Sequence, residues 1–294
     1  MENFEATVPD ARMLEVLEKI RTEMAKVIVG QHRLVDLLMI GLFCDGHILI
    51  EGVPGVAKTL AAKSLAKIID LQFSRIQFTP DLMPSDVVGT AVFNPREATF
   101  SFKPGPIFGN IILIDEINRA PAKTQAALFE VMEERQVTVD GFSHFMEEPF
   151  LVLATQNPIE QEGTYRLPEA QLDRFLFKIL VDYPTLEEEV EILTAQQGRN
   201  QRELLQEVST ILSAGDIRYF RKMLIDVQVE PKLVEYIATI VNHTRNNPAL
   251  YLGGSTRASL ALLKTARAVA AMKGRTFVIP EDIIEMAPHV LRHR

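Results

Sequence analysis

The residues from Gly52 to Thr59 carry the most specific chemistry in the sequence. They lie between a short apolar run and a helical pattern. Small side chains let the backbone N–H groups of such a loop face a polyphosphate, and the following helix adds positive potential at its N-terminus. Lys58 would neutralise the outer phosphates, and the Thr59 hydroxyl would bind Mg²⁺. The segment predicts a phosphate-binding loop made of Gly52, Val53, Pro54, Gly55, Val56, Ala57, Lys58 and Thr59.

One position of this loop departs from the usual pattern, because Ala57 stands where a second glycine is expected. A left-handed backbone there would cost an alanine about 1–2 kcal/mol. A small residue at the start of a helix would carry no such strain. Since Gly55 supplies conformational freedom two residues earlier, we expect Ala57 to open the helix.

Two carboxylates follow the most apolar strand signal. Ile111 to Ile114 predicts a buried strand, and Asp115 and Glu116 come directly after it. Ligands of open α/β sheets bind at the carboxyl ends of the strands. There Asp115 would help to hold Mg²⁺ through water, and Glu116 would act as the general base that takes a proton from the attacking water. Together with the phosphate loop, this pair predicts nucleotide hydrolysis.

Three further polar residues are candidates for contact with the phosphates or the attacking water. Asn157 follows the apolar run Pro149 to Ala154 and either orients the attacking water or simply forms a turn. Arg174 either pairs locally with Asp173 or projects towards a neighbouring subunit as an arginine finger. Arg257 opens a predicted helix, where the helix dipole disfavours a cation, so it indicates an anionic partner unless it is an ordinary solvated arginine.

Short apolar runs alternate with helical patterns over the first part of the chain, which predicts an α/β fold with a parallel sheet covered by helices on both faces. Two strand-turn-strand stretches, Thr90 to Lys103 and Gln136 to Phe145, interrupt this alternation as predicted hairpin insertions. The predicted strands are His47–Ile50, Phe73–Phe78, Ile111–Ile114, Pro149–Ala154 and Phe177–Val181, and the predicted helices are Ala11–Val27, Leu34–Phe43, Thr59–Ile69 and Lys123–Arg135.

The pattern after Pro184 is helical throughout. Thr185 with Glu188 forms a capping-box pattern, and Pro231 and Pro280 stand where first-turn prolines belong. The sequence therefore predicts an α/β nucleotide-binding domain over residues 1–184, including N-terminal helices, and an all-helical domain over residues 185–294. The predicted helices are Leu186–Gln197, Asp216–Ile225, Pro231–Arg245, Arg257–Met272 and Pro280–Arg292.

Composition excludes several classes of protein. The chain has 294 residues, of which 47% are hydrophobic, and this content argues against disorder. Its net charge is −8, which argues against non-specific nucleic-acid binding. Cys44 is the single cysteine, so a disulfide framework is excluded. The longest apolar run, Leu37 to Cys44, is far shorter than the ~18 residues of a membrane span. The acidic N-terminus lacks a signal-peptide pattern, so we expect a cytoplasmic protein.

Taken together, these motifs resemble the MoxR family of AAA+ ATPases. The resemblance extends from about residue 12 to residue 294. It rests on the phosphate loop and on Lys-Pro-Gly-Pro-Ile-Phe from Lys103, Ile-Asp-Glu-Ile-Asn-Arg-Ala from Ile114, Ala-Thr-Gln-Asn-Pro from Ala154, Leu-Pro-Glu-Ala-Gln-Leu-Asp-Arg-Phe from Leu167 and Gly-Gly-Ser-Thr-Arg from Gly253.

The resemblance implies a P-loop core with a five-stranded parallel sheet, a helical lid and a homo-hexameric ring. It implies that ATP and Mg²⁺ are the ligands, and that the partners are often proteins with a von Willebrand factor A domain. The family's residue roles carry over as Walker A at Gly52 to Thr59, Walker B at Asp115 and Glu116, sensor 1 at Asn157, the arginine finger at Arg174, sensor 2 at Arg257, and a stretch beside the adenine at Gly30 and Gln31.

Some alternatives stay open at this point. Arg257 can act within its own subunit or across a boundary. The chain stops at Arg294 inside a helical period, which leaves open whether the lid lacks its last element. A chelatase-type motor subunit, a helicase-type nucleic-acid motor and a non-hydrolysing nucleotide switch are rival functions. Ala57 and the Asp-Glu-Ile-Asn-Arg-Ala run oppose the first, the acidic composition opposes the second, and Glu116 opposes the third.

Overall fold

The computed structural model describes residues 11–52, 58–96, 98–157, 165, 167–195, 197 and 201–294. The strands are β1 (Ile48–Gly52), β2 (Phe73–Gln77), β3 (Gly89–Asn94), β4 (Thr99–Pro104), β5 (Ile111–Asp115), β6 (Gln136–Val139), β7 (Phe142–Phe145), β8 (Leu151–Gln156) and β9 (Phe177–Val181). The helices up to β9 are α1 (Ala11–Ala25), α2 (His32–Phe43), α3 (Lys58–Ile68), α4 (Pro84–Val88), α5 (Ala122–Glu134) and α6 (Glu169–Leu172). The later helices are α7 (Leu186–Ala195), α8 (Gln201–Gln206), α9 (Ala214–Asp226), α10 (Pro231–Arg245), α11 (Thr256–Met272) and α12 (Pro280–Leu291).

Five strands form one parallel sheet in the order β2-β5-β8-β1-β9, which confirms the predicted α/β fold. The inner strand β5, between β2 and β8, is buried along its whole length. Its alternating side chains serve both faces, since Ile111 and Leu113 join one apolar cluster while Ile112 and Ile114 join the other. A strand that is buried on both faces has a continuous apolar sequence, as β5 does.

Both predicted hairpins are present as antiparallel pairs. In the first, β3 pairs with β4 and closes at Asn94 opposite Thr99. In the second, β6 pairs with β7 across Asp140 and Gly141, whose φ values of 50° and 82° are those of a two-residue turn with left-handed backbone at both positions. The Asp-Gly pair in the sequence predicted this turn because few other residues accept that conformation.

The helices that follow β9 share their apolar core with the N-terminal helices. One buried cluster runs from α1, α2 and one face of the sheet into α9, α11 and α12. At its centre the ring of Phe43 in α2 meets the ring of Phe220 in α9 edge to face, with centroids 5.5 Å apart. The guanidinium of Arg221 in α9 donates to the carbonyl of Leu42 at the end of α2. The secondary structure changes at residue 184, but the packed core continues across that point.

The helix boundaries follow the predicted caps. The Glu188 amide donates to the Thr185 hydroxyl oxygen at 3.3 Å, and the Thr185 amide donates to the Glu188 carboxylate at 2.9 Å. Pro231 and Pro280 occupy the first turns of α10 and α12. The sequence analysis missed α8, because its six residues span fewer than two turns and give no measurable period. None of the helices in the described part of the chain is both long and apolar enough to cross a membrane.

His47 is a buried polar link between the sheet and α5. Its Nδ1 accepts from the Val152 amide at 3.0 Å, so its Nε2 carries the proton and donates to the Met132 carbonyl at 3.1 Å. Burial, aided by the nearby charge of Arg135, lowers the pKa of His47 from 6.5 to about 4. The folded chain therefore holds this ring neutral well below the pH at which an exposed histidine is charged.

We expect stability to fall as the pH drops from about 6.5 towards 4. In this window the unfolded chain binds a proton that folded His47 does not accept, so the free energy of unfolding decreases by up to about 1.4 kcal/mol per pH unit. Urea unfolding at several pH values measures this slope. The His47→Gln variant, which keeps a donor for Met132, should show a shallower slope, whatever its stability at pH 7. Equal slopes in the two proteins would contradict the assignment.

Candidate active site

The carboxyl edge of the sheet collects most of the predicted site residues. Since β1, β5 and β8 run parallel, their last residues end at the same edge. Gly52 ends β1, Asp115 ends β5, and Asn157 follows β8. Lys58 and Thr59 return to this edge as the first residues of α3. Residues 53 to 57, including Ala57, lie outside the described residues, so the expectation for Ala57 stays a prediction.

Gly52 and Lys58 lie on either side of residues 53 to 57 in the predicted phosphate loop. A Cβ at Gly52 would lie 2.6 Å from the Val181 carbonyl oxygen, so only glycine fits where β1 meets β9. The Lys58 ammonium donates to the Gly52 carbonyl at 2.7 Å. Burial lowers the pKa of Lys58, while the charges of Asp115 and Glu116 oppose that shift. The lysine therefore lies within electrostatic reach of both carboxylates.

Asp115 is nearly buried and is oriented through both of its oxygens. Oδ2 accepts from Arg75 Nε at 2.6 Å, and Oδ1 accepts from the Thr155 hydroxyl at 3.3 Å. Arg75 comes from β2 and Thr155 from β8, the two strands that flank β5. Charge-assisted bonds of this kind fix the direction of a carboxylate. The hard oxygen atoms of Asp115 and Thr59 are also the donors that Mg²⁺ prefers, so this pair fits the cation.

Glu116 has an unusual backbone and three polar neighbours. Its φ of 56° lies in the left-handed region, which costs a non-glycine residue about 1–3 kcal/mol and is most frequent at functional sites. Its amide donates to the Thr155 hydroxyl oxygen at 3.0 Å. Its Oε2 accepts from Gln77 Nε2 at 3.1 Å and lies 3.1 Å from Arg119 Nε. These contacts hold the Glu116 carboxylate at the carboxyl edge of the sheet.

The sequence analysis missed Arg75, Gln77 and Thr155. Arg75 and Gln77 are two residues apart in β2, so they share a face of the strand, and each binds one of the two acids. The sequence did contain a signal for Arg75 and Gln77, because polar and apolar residues alternate in that predicted strand. It could not be used, because nothing in the sequence shows that β2 pairs with β5. The Thr155 hydroxyl bridges Asp115 Oδ1 and the Glu116 amide, a role that depends on the pairing of β8 with β5.

Gln31, which follows Gly30 in the chain, lines a pocket beside the predicted phosphate loop. The pocket has a volume of about 480 Å³, and Gln31, Leu34, Val181 and Tyr183 are among its lining residues. Val181 pairs with Gly52 in the sheet, so the pocket adjoins the start of the loop. Gln31 Oε1 is buried and has no hydrogen-bond partner within the described residues. An unpaired buried acceptor in a pocket of this size fits a ligand with an amino group, such as adenine.

Arg174 and Arg257 lie together, but away from that edge. Both face Glu133 near the end of α5, with Arg257 Nη2 at 2.6 Å from one carboxylate oxygen and Arg174 Nε at 3.8 Å from the other. Arg174 Nη1 also donates to the Phe129 carbonyl at 2.6 Å. The alternative of a local pair between Asp173 and Arg174 is wrong, because Asp173 binds other groups.

Asp173 ties three distant parts of the chain to each other. One of its carboxylate oxygens accepts from the Ser255 hydroxyl at 2.8 Å, and the other accepts from Arg294 Nε at 2.7 Å. Ser255 is also the N-cap of α11, where its hydroxyl oxygen accepts from the Arg257 amide at 3.0 Å. The segment that carries Arg174 is therefore fixed to the start of the helix that carries Arg257.

The residues around Lys58 and Asp115 lie at one edge of the sheet, and Arg174 with Arg257 lies at the opposite edge. Arg174 precedes the amino end of β9, whereas Gly52 pairs with Val181 at the carboxyl end of the same strand. Five strand residues span about 16 Å at 3.3 Å each. Because an extended arginine side chain covers less than half of that length, Arg174 does not reach Gly52 of its own chain.

Comparison with known proteins identifies the class. Residues 47–177 match the model of the ATPase family associated with various cellular activities (AAA), and residues 242–294 match that of the AAA lid domain. A crystal structure of a protein from Cytophaga hutchinsonii, described as a candidate ATPase, superposes with a TM-score of 0.87 at 44% identity, covering 96% of this chain and 88% of that one. The chain is an ATPase of the AAA+ class.

Two relatives define the family within this class. Chaperone MoxR1 of Mycobacterium tuberculosis is 47% identical over 293 residues, which cover 97% of this chain and 76% of the relative. Protein MoxR of Methylorubrum extorquens is 30% identical over 309 residues, covering 94% of this chain and 86% of the relative. The chain belongs to the MoxR family of AAA+ ATPases, which confirms the resemblance noted in the sequence. The roles assigned to single residues stay predictions.

We expect Thr155→Val to slow ATP hydrolysis by about 10- to 100-fold, because the variant keeps the shape of the side chain but releases Asp115 and the Glu116 amide from their shared hydroxyl. Phosphate release measures the rate, and a fluorescent ATP analogue measures binding, which should change little. Thr265→Val is the matched control, since its buried hydroxyl only bonds to carbonyls within α11. A Thr155→Val protein with the parental rate would show that the bridge does not orient the acids.

Proposed function

We propose that this chain hydrolyses Mg²⁺-ATP at the boundary between two copies of itself, and that the resulting motion remodels or matures partner proteins. The observation that carries the proposal is the position of its predicted catalytic groups at two opposite edges of one sheet. Among the described residues, neither edge alone holds all of the residues that are predicted to act on the phosphates. A second copy that presents its Arg174 edge to the loop of the first would complete the set.

At the carboxyl edge, each residue has a role that its present contacts support. Lys58 would exchange the Gly52 carbonyl for the outer phosphates. Thr59 and Asp115 would hold Mg²⁺, Asp115 through water, and the bound cation would neutralise charge on the phosphate oxygens. Glu116 would accept the proton of the attacking water, and Asn157 would help to orient that water. Gln31, with Gly30 beside it, would receive the adenine amino group at its unpaired oxygen.

At the amino edge, Arg174 and Arg257 would act together on the nucleotide of the neighbouring copy. Their common contact with Glu133 and the link from Asp173 to Ser255 support a shared role. The sequence left open whether Arg257 acts within its own chain, and we propose that it acts across the boundary. In the free chain, Glu133 would hold both guanidinium groups in place until a phosphate replaces it.

The remaining features of the proposal concern assembly and context. We propose a homo-hexameric ring in the cytoplasm, with an α/β domain over residues 1–184 and a lid over residues 185–294. The chaperone named among the relatives supports a remodelling role. A protein with a von Willebrand factor A domain is the proposed partner, and the net charge of −8 supports a protein partner rather than nucleic acid.

Two substitutions at the carboxyl edge should separate binding from hydrolysis. Lys58→Ala should abolish ATP binding, measured by calorimetry, because the loop loses its fixed cation. Glu116→Gln should bind ATP but release phosphate at least about 100-fold more slowly, since an amide cannot accept the proton of water. Parental affinity in the first variant, or parental turnover in the second, would overturn the corresponding role.

Mixing variants tests whether the arginines act across the boundary. Arg174→Ala should lower hydrolysis by about 10³-fold with binding retained. A mixture of Arg174→Ala with Glu116→Gln should exceed the sum of the separate activities, because some boundaries then combine an intact base with an intact arginine. Arg257→Ala mixed with Glu116→Gln should recover in the same way.

Two further mixtures serve as controls for this experiment. Lys58→Ala with Glu116→Gln should not recover, because both defects lie in the same half of the site. Arg174→Ala with Arg257→Ala should also fail to recover, because both arginines must come from one copy. Recovery in this last mixture would mean that Arg257 acts within its own chain. Absence of any recovery with Glu116→Gln, in samples that native mass spectrometry shows to be mixed oligomers, would overturn action across the boundary.

A further inference from the structure

A cavity of about 320 Å³ lies between α9, α11 and the end of α2. Its apolar lining comes from Phe43 of α2 and from Leu224 and Ile225 of α9. The volume is at the lower end of the range for small-molecule pockets, about 300–1,000 Å³. The cavity shares no lining residue with the pocket of Gln31, so it is separate from the predicted nucleotide site. We call it the α9–α11 cavity.

The charged side chains around the α9–α11 cavity leave a positive excess. Arg221, Lys264 and Arg267 line it, together with the two carboxylates of Asp45 and Glu148. Three basic groups against two acidic groups leave one positive charge in excess. A cleft with such an excess attracts a ligand of the opposite sign.

Asp45 and Arg221 already compensate each other. Asp45 Oδ1 lies 2.8 Å from Arg221 Nη2 and 3.1 Å from Arg135 Nη2. Arg221 also donates from Nε and Nη2 to the Leu42 carbonyl oxygen, at 3.1 Å and 3.0 Å. These contacts hold the end of α2 against α9, and they leave the other two basic side chains to meet a ligand.

Lys264 and Arg267 are those two side chains. They are three residues apart in α11, so they lie on the same side of the helix. The buried Nε of Arg267 has no hydrogen-bond partner within the described residues, and neither side chain forms an ion pair with any of them. A buried donor without a partner is costly. A carboxylate would satisfy Nε and a neighbouring Nη of the guanidinium at the same time.

The thiol of Cys44 lines the same cavity and is uncharged. Its Sγ donates to the Lys264 carbonyl oxygen at 3.4 Å, which links the end of α2 to α11. Burial raises the pKa of this thiol to about 12. The thiol therefore does not repel an anion at neutral pH.

We infer that the α9–α11 cavity binds a small monocarboxylate with an apolar body, such as a medium-chain fatty acid. The carboxylate pairs with Arg267 and Lys264, and the apolar body packs on Phe43, Leu224 and Ile225. A phosphate monoester fits less well, because its charge of about −1.5 to −2 exceeds the single positive charge in excess. The site goes beyond the proposed function and does not depend on it.

Calorimetry with octanoate and the full chain tests the site. We expect one-to-one binding with a Kd of about 1 mM or lower. Octanamide has the apolar body without the charge, and acetate has the charge without the apolar body. Each should bind at least about tenfold more weakly than octanoate. Octanoate that does not bind, octanamide that binds equally well, or octyl phosphate that binds more tightly would overturn the inference.

Substitution of the two free cations should weaken octanoate binding. Arg267→Met and Lys264→Met keep an unbranched apolar chain and remove the charge, so each should raise the Kd at least about fivefold. The matched control is Arg218→Met, at an exposed arginine of α9 outside the cavity, and it should bind like the parent. Lys264 is exposed, so its variant provides the test even if Arg267→Met does not fold. Parental affinity in either folded variant would contradict the assigned pairing.

Ile225→Glu tests the apolar wall. Ile225 is 68% exposed, so the substitution spares the core and places a carboxylate beside the apolar body of the ligand. Octanoate should bind at least about tenfold more weakly. Ile284→Glu is the matched control, 55% exposed and outside the cavity. Equal octanoate affinity in these two variants would show that the wall is not part of the site.

A fluorescent ATP analogue separates this inference from the proposed function. All the variants of the α9–α11 cavity should bind the analogue like the parent, because none of them changes the predicted phosphate loop or the pocket of Gln31. Octanoate that displaces the analogue from the parent would place its binding in the nucleotide site and overturn the inference. Binding of octanoate in a parent that does not hydrolyse ATP would support the cavity and contradict the proposed function alone.

Discussion

Parallel strand pairing is the constraint on which the rest of this structure depends. In a parallel sheet all carboxyl ends meet at one edge, so three short strands that are far apart in the sequence deliver Gly52, Asp115 and Asn157 to the same place. The flanking strands add Arg75 and Thr155, which orient Asp115 through both of its oxygens. The charged residues at this edge influence one another because they are close together. Lys58 lies near enough to both acids for their charges to affect its pKa.

The same constraint places the arginines elsewhere. Arg174 precedes the strand whose far end abuts Gly52, so the length of β9 separates it from the phosphate loop of its own chain. The polar links around Asp173 hold the starts of β9 and α11 together. A shared apolar core joins the later helices to α1 and α2, so these helices, and Arg257 with them, have a fixed position relative to the sheet. The fold thus divides one predicted site between two edges.

The local features of the fold were predictable because their causes are local. Burial on both faces gives β5 its apolar run, the Asp140-Gly141 turn needs residues that accept positive φ, and the Thr185–Glu188 pair caps α7. The helix α8 was missed since six residues show no period. The residues Arg75, Gln77 and Thr155 were missed for a different reason, because their roles follow from which strands are neighbours.

The sequence by itself determined the kinds of most elements and the family, and it predicted the phosphate loop and the acid pair, because each depends on residue types at short spacing. Only the tertiary structure decided which of these residues share an edge. Strand order and helix docking arise from contacts between distant segments, and no spacing along the chain records them. For that reason Asp115 and Glu116 lie within electrostatic reach of Lys58, whereas Arg174 and Arg257 share Glu133 at the opposite edge.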